Sequence, residues 1–316
     1  MVGRVMRHVR RVWPEGGAWA PLTVVAWPAW NVVRDTMRAE HLAFTVLIVV
    51  LAYATPRSKA LFIGLLPFAI LALVYDAMRY VQYAGVEARD VHTCDLAALD
   101  ARLFPGDGTA HDYLQLRATA LVDRLAAVPY GTFLYVSLGV AVWLYGKDYE
   151  ALLRFGWTFL IVNLAGFVTY HLYPAAPPWY VHRHGCAVDL TAHASEGPNL
   201  ARVDAWLGVQ YFAGFYGRSS DVFGAMPSLH VSYPLLNIIF GWSHWTWLGR
   251  SLAIGFFAAM CFAAVYLDHH WVIDVVMGVV YTVVVERAVA WLWQRRRVMA
   301  ESFSSQGSQA CARGAE

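Results

Sequence analysis

The sequence predicts an all-α protein that crosses a membrane several times, and three observations carry that expectation. Apolar residues make up 59% of the 316 positions and charged ones only 15%, a balance outside that of soluble domains. Uncharged apolar runs recur at lengths close to the roughly 20 residues a helix needs to cross a hydrocarbon core about 30 Å thick. Lys and Arg gather in short segments between or beyond those runs.

Six runs form the expected core, at 60–75, 128–145, 155–173, 234–247, 252–267 and 272–285. A seventh run, 41–54, extends it, and an eighth, 19–33, is interrupted by Pro21 and Pro28 and suits either a span or a helix lying in the interface. The organisation expected is a basic N-terminus with one or two extra helices (1–58), a membrane core (59–293), and a basic, disordered cytoplasmic tail (294–316). Cation-rich segments tend to stay in the cytoplasm. The Arg4 to Arg11 cluster, the Pro56-Arg57-Ser58-Lys59 turn, Arg250 and Arg295-Arg296-Arg297 therefore place both termini inside. Two long loops, 86–127 and 174–225, then fall on the outer face. In the first, 95–100 and 114–127 have the spacing of amphipathic helices; the second, rich in Gly, Pro and aromatics, reads as irregular structure covering a site. No signal peptide is expected. Cys94 and Cys186 lie on the two outer loops, where an oxidising compartment allows them to pair or leaves them free. Cys261 falls in an apolar helix and Cys311 in the tail.

Ionisable residues at membrane depth are costly, so they mark candidate sites. The richest cluster is Tyr266-Leu267-Asp268-His269-His270-Trp271-Val272-Ile273-Asp274. On a helix, His270 and Asp274 share a face, so the carboxylate can take a hydrogen bond from one ring nitrogen and leave the other free to attack. A second cluster, Phe223-Gly224-Ala225-Met226-Pro227-Ser228-Leu229-His230, opens another helix. Pro227 and Ser228 suit its first positions, and the unpaired N–H groups there can cradle phosphate oxygens. His230 stands ready as the acid and base. Alternation of the spans puts both helix starts on the outer face.

These residues carry a resemblance. Pro227-Ser228-x-His230 followed by His270-x-x-x-Asp274 resembles the second and third signature motifs of the type-2 phosphatidic acid phosphatase superfamily, over roughly residues 59–293. The resemblance implies a six-helix core, a phosphohistidine on His270 oriented by Asp274, acid and base catalysis by His230, and no metal or other cofactor. Two departures narrow it. The superfamily's Ser-Arg before the nucleophile is replaced by Ala263 and Ala264, and its Lys with Arg-Pro is absent from the Tyr170-to-Tyr180 region. The Pro177-Pro178-Trp179-Tyr180 segment, Tyr75-Asp76-Ala77-Met78-Arg79 and Gly224-Ala225-Met226 look like the inositol phosphorylceramide synthase branch.

The missing cations leave phosphate binding to other groups. Arg79 and Arg218 are the first candidates, followed by His269 and His171, with Ser228 at the helix start and Trp179 and Tyr180 lining a head-group pocket. The outer-loop histidines His92, His111, His182, His184 and His193 match no standard metal spacing, and no metal is expected. The function expected is transfer of a phospho-head group from a membrane phospholipid donor to a lipid alcohol acceptor such as ceramide or diacylglycerol. A lipid or polyprenyl phosphate phosphatase using water, and a non-catalytic lipid-binding protein, are the competing expectations. No nucleic-acid partner is expected, the formal charge of +2 says little about partners, and the oligomeric state is left open.

Overall fold

The computed structural model describes residues 2–103, 108–193, 199–217 and 221–313, and among them helices and turns dominate with no β-strand. The chain forms two compact units: Met1–Ala77 with Ala141–Gly156, and Met78–Val140 with Trp157–Glu316.

The first unit contains α1 (Val2–Val12), a 3-10 turn at Ala20–Val25, α2 (Ala26–Val33), α3 (Ala39–Tyr53) and α4 (Pro56–Ala77). The interrupted run 19–33 is therefore a 3-10 turn running into a two-turn helix, with Pro21 and Pro28 both buried. α3 and α4 form a hairpin because Thr55 and Ser58 cap each other: each backbone N–H donates to the other's hydroxyl, at 2.9 and 3.0 Å. Val24, Ile48, Ala52 and Phe62 make the core of this unit. Gly64 of α4 lies where any Cβ would meet the Leu152 side chain at 2.4 Å, so the first turn of the helix Tyr149–Leu172 can lie close against it.

The second unit holds α5 (Cys94–Ala101), α6 (Ala110–Gln115), most of α7 (Ala120–Tyr145) and α8 (Tyr149–Leu172), then α9 (Pro178–His184), α10 (Ala201–Leu207), α11 (Tyr211–Tyr216), α12 (Leu229–Gly241), α13 (Trp247–Tyr266) and α14 (Val272–Arg313). Among the described residues, four helices are long and apolar enough to cross a membrane: Pro56–Tyr80, Ala120–Tyr145, Tyr149–Leu172 and Trp247–Tyr266. α3 and α12 are apolar but shorter; at 1.5 Å per residue the 13 residues of α12 extend only about 20 Å. Leu248, Leu252 and Ile254 of α13 point outward, as lipid-facing residues do.

Four expectations change. The run 234–247 is not one span, because the chain turns after Gly241 and Thr246 caps α13, its hydroxyl accepting the Gly249 N–H. α7 begins at Ala120 and absorbs most of the expected amphipathic stretch 114–127. The second outer loop carries three short helices in place of irregular structure. α14 continues as helix through Arg313, over residues expected to form a disordered tail; the side chains from 300 onward, Cys311 among them, lie outside the described residues.

Cys94 and Cys186 form a disulfide that closes a sequence separation of 92 residues and ties α5 to the segment after α9. Closing so long a loop restricts the unfolded chain strongly. Cys94→Ser or Cys186→Ser is expected to lower stability by about 2–4 kcal/mol, read as a fall in Tm in detergent. Thiol labelling of the denatured wild-type protein should show these two cysteines only after reduction.

Candidate active site

The site is built where the chain leaves α13 and enters α14. Residues 267–271 form a turn in which Asp268 takes a φ of 69°, a left-handed conformation that Asp tolerates better than most residues. The N–H groups of His269 and His270 both donate to the Ala264 carbonyl, at 3.2 and 3.0 Å. α14 starts at Val272, whose N–H donates to Asp100 at 2.9 Å, while the other Asp100 oxygen accepts the Ala110 N–H at 2.9 Å. One buried carboxylate thus caps two helices. Asp274 closes the cap from within, accepting the Trp271 N–H at 2.8 Å.

The facing wall comes from three extended segments. His92, Ala175 and Gly224 align through parallel bridges. The Ala175 N–H donates to Phe223 O at 2.7 Å and the Ala225 N–H to Ala175 O at 3.1 Å. Trp271, 1% exposed, locks this wall to the turn by donating its indole N–H to Ala176 O at 2.9 Å. The wall presents the Ala225 carbonyl to His270 and leads into α12, which carries His230 in its first turn.

His230 Nδ1 and His270 Nε2 stand 3.1 Å apart. His270 Nδ1 lies 2.9 Å from the Ala225 carbonyl, an atom that can only accept, so Nδ1 carries the proton and Nε2 a lone pair. His230 then donates from Nδ1 to that lone pair, and its Nε2 accepts from the Tyr216 hydroxyl at 3.3 Å. The donors form a directed chain, Tyr216 to His230 to His270 to Ala225. This corrects the expected orientation of the nucleophile. His270 precedes α14 and does not lie on it, so Asp274 Oδ2 sits at 3.6 Å, an ion-pair distance, and the hydrogen bond goes to a backbone carbonyl.

The other candidates separate into groups. Ser228 heads α12 fully buried, and its N–H donates to the Asp274 carbonyl at 2.9 Å. His269 sits in the turn, not one position around a helix from His270, with its ring 4.8 Å from the rings of both Tyr130 and Tyr216. Burial, with His230 and His270 nearby, holds His269 well below the usual imidazole range, so it is neutral. Trp179 and Tyr180 belong to a hydrophobic cluster with Val91, Val222 and Phe223. The Trp179 N–H supports the catalytic turn by donating to Asp268 O at 3.0 Å. Arg79 is half-buried in the turn Met78–Tyr80 with its guanidinium 5.8 Å from the Tyr80 ring. His171 lines a surface pocket of about 450 Å³ with Arg89, Asp90 and His92. Arg218 lies outside the described residues. Ala263 and Ala264 are fully buried against the site, which leaves no room there for the Ser-Arg side chains of the superfamily pattern.

Tyr130 and Tyr216 are site residues that the sequence did not single out, because tyrosines near span ends read as an interfacial belt. Tyr130 is fully buried and stacks on His230 with ring centroids 4.7 Å apart. Its hydroxyl has no hydrogen-bond partner, and neither do Ser228 Oγ, His269 Nε2 and Asp274 Oδ1. A buried polar atom without a partner costs about 1–3 kcal/mol. Their gathering around His230 and His270 marks a place that a polar ligand completes. Near it, His111, His182 and Asp268 form the one group among the described residues whose ligand atoms could hold a metal ion.

A family model described as the PAP2 superfamily matches residues 95–288. The phosphoinositol dihydroceramide synthase of Bacteroides thetaiotaomicron is 33% identical over 250 residues, covering 77% of this chain and 81% of that protein. The inositol phosphorylceramide synthase of Candida albicans is 30% identical over 255 residues, 77% of this chain and 52% of the relative. The catalytic subunit of the Saccharomyces cerevisiae enzyme of the same name is 27% identical over 74% of this chain and 57% of the relative. The chain thus spans four-fifths of the bacterial relative and little more than half of the fungal ones. No solved structure matches the chain.

If the Tyr130 hydroxyl serves a ligand and not the fold, Tyr130→Phe removes an atom that the resting protein leaves unpaired. Thermal unfolding of the variant should show stability equal to or above wild type, while kcat/KM falls about tenfold, the worth of one hydrogen bond of about 1.4 kcal/mol. A matched loss of stability and activity would assign the hydroxyl to packing.

Proposed function

The chain belongs to the PAP2 superfamily and is an integral membrane protein, and from that premise we propose that it transfers a phosphoinositol head group from a phospholipid to the hydroxyl of a ceramide-type lipid, through a phosphohistidine on His270. The 3.1 Å approach of His230 Nδ1 to His270 Nε2 supports the chemistry. The similarity to a phosphoinositol dihydroceramide synthase over most of both chains supports the substrates.

In the first step the Nε2 lone pair of His270 attacks phosphorus, the bond from phosphorus to the diacylglycerol oxygen breaks, and His230, which takes up a second proton when the anionic diester binds beside it, gives that oxygen a proton and is left neutral. In the second, His230 takes the proton of the acceptor hydroxyl, whose oxygen attacks phosphorus and breaks the P–N bond. The first step places positive charge on the His270 ring, stabilised by Asp274 at 3.6 Å and by the Ala225 carbonyl. Tyr130, Ser228 and His269 supply hydrogen bonds to the phosphoryl oxygens, with Arg79 and Arg218 as the proposed cations. All steps run through imidazoles and require no metal.

Neutral donors suit a phosphodiester, which carries one negative charge, better than a phosphomonoester with nearly two. That favours head-group transfer over release of phosphate from a lipid monophosphate. The outer face is the proposed side of the site. A disulfide between Cys94 and Cys186 persists in oxidising compartments, and cation-rich segments such as Arg4 to Arg11 and Arg295-Arg296-Arg297 favour the cytoplasmic side for the other loops.

Purified protein given phosphatidylinositol and a ceramide should yield an inositol-phosphate-bearing sphingolipid and diacylglycerol in equal amounts by mass spectrometry. Inorganic phosphate from phosphatidic acid, with no new sphingolipid, would mean a phosphatase. His270→Ala, His230→Ala and Asp274→Asn should each lower turnover by about a thousandfold or more while detergent elution and membrane insertion stay as in wild type. Full turnover in His270→Ala would sink the mechanism.

A further inference from the structure

His111 from α6 and His182 from α9 converge on Asp268, so that one ligand atom from each lies within 4.8 Å of the others. His111 Nε2 is 3.4 Å from Asp268 Oδ1, and His182 Nδ1 is 2.9 Å from the same oxygen. Ligands set about 2.0–2.1 Å from a tetrahedral zinc lie about 3.3 Å from one another; the 3.4 Å separation of His111 Nε2 from Asp268 Oδ1 is close to this, and small side-chain rotations would bring His182 Nδ1, now 2.9 Å from that oxygen in a group spread over as much as 4.8 Å, to the same spacing.

The His111 tautomer gives the stronger argument. Its Nδ1 faces the Val265 carbonyl at 3.2 Å and must donate, which in a neutral ring leaves Nε2 a bare lone pair. That lone pair points at a carboxylate oxygen, within a pair of residues each only 7% exposed. His111 Nε2 and the Asp268 oxygen are thus two acceptors 3.4 Å apart, and the one group that faces the same carboxylate as a donor is His182 Nδ1, at 2.9 and 3.1 Å from its two oxygens. His182 shows the complementary arrangement. Its other nitrogen, Nε2, lies 3.7 Å from Asp112 Oδ1, and Asp112 is itself fixed by the Thr109 N–H and hydroxyl, both at 2.8 Å. A histidine that ligates a metal turns its second nitrogen to a carbonyl or a carboxylate in this way.

We propose that His111 Nε2, His182 Nδ1 and the Asp268 carboxylate bind a divalent ion of the zinc class, with a fourth position open beside the partly exposed ring of His182. Two imidazoles with one carboxylate are a donor set that suits zinc. The ion would tie α6 and α9 to the turn that carries His270, and it takes no part in the phosphoryl transfer. The inference stands apart from the proposed reaction, since it concerns residues that do not touch His230 or His270.

The test uses untagged full-length protein in detergent, passed through chelating resin and then given zinc. Elemental analysis should find about one zinc per chain, and cobalt in its place should give the visible absorption of a four-coordinate site, lost again when zinc is added. His111→Ala and His182→Ala should each weaken zinc binding about tenfold or more while the Cys94–Cys186 disulfide and the elution profile remain. His92→Ala, at an exposed histidine paired with Asp95, should keep the metal. Wild-type protein that takes up no zinc and gives no cobalt band overturns the proposal, as does full zinc retention in both variants. If the variants do not fold, the wild-type cobalt spectrum and its displacement by zinc decide alone.

Discussion

The starts of α12 and α14 meet backbone to backbone, and the geometry of the candidate site depends on that approach. The Ser228 N–H donates to the Asp274 carbonyl at 2.9 Å, and Ser232 reaches from α12 to the Gly278 carbonyl at 3.2 Å. Gly278 permits the contact: a Cβ there would lie 2.4 Å from the Ser228 carbonyl oxygen. Because α12 carries His230 and the segment before α14 carries His270, any separation of the two helix starts lengthens the 3.1 Å contact between the imidazoles. An effect of an ångström on such a pair is large, since proton transfer and in-line attack both need near-contact distances. The three bridged segments, the Trp271 indole bond and the Asp100 double cap hold the rest of the wall in register around this contact.

Much of this was legible in the sequence. The two motifs named His230, His270 and Asp274 correctly as neighbours, because their spacing and the alternation of spans already forced both helix starts to one face. What the spacing could not show was the turn at Asp268. A regular helix through 270–274 puts the Asp274 carboxylate on His270, whereas the left-handed Asp268 and the late start of α14 hand His270 to the Ala225 carbonyl. A backbone acceptor has no residue-type signature, so no motif could announce it. Tyr130 escaped for a related reason: its role arises from stacking on a helix distant in sequence, and in isolation it resembles any interfacial tyrosine. The outer-loop acids were equally opaque. Asp100, Asp123 and Asp204 carry no motif, yet each is buried and accepts hydrogen bonds, from helix N-termini in the first and third cases and from Tyr266 and Arg202 in the second.

The replacement of Ser-Arg by Ala263 and Ala264 shows how the electrostatics of the site are redistributed. With two fully buried alanines at the end of α13, the Ala264 carbonyl is close enough to take both the His269 and the His270 N–H groups. A guanidinium at this place would need space now filled by the turn itself. What surrounds the imidazoles instead is Tyr130, Tyr216, Ser228 and a neutral His269. Hydrogen bonds to a charged acceptor contribute about 1.5–3 kcal/mol each, and they strengthen in a site from which water is excluded. A few such donors can match one cation for a singly charged diester, without the cost of burying an unpaired guanidinium when the site is empty.

The same burial bears on the choice of acceptor. The phosphohistidine proposed at His270, a residue only 4% exposed, would meet bulk water poorly, and the aromatic rings of Tyr130, Phe133 and Tyr216 around His230 cover the base proposed to activate it. A lipid alcohol arrives with its own apolar chains and can enter among aromatic rings that give water few partners. Discrimination between the two then needs no dedicated hydroxyl-recognition group. It follows from where the general base is placed: at the head of a short apolar helix, behind rings, with one nitrogen held by Tyr216 and the other aimed at the nucleophile. In the proposed mechanism the enclosure of His230 is what separates transfer from hydrolysis, since the same pair of imidazoles could activate either a lipid hydroxyl or water.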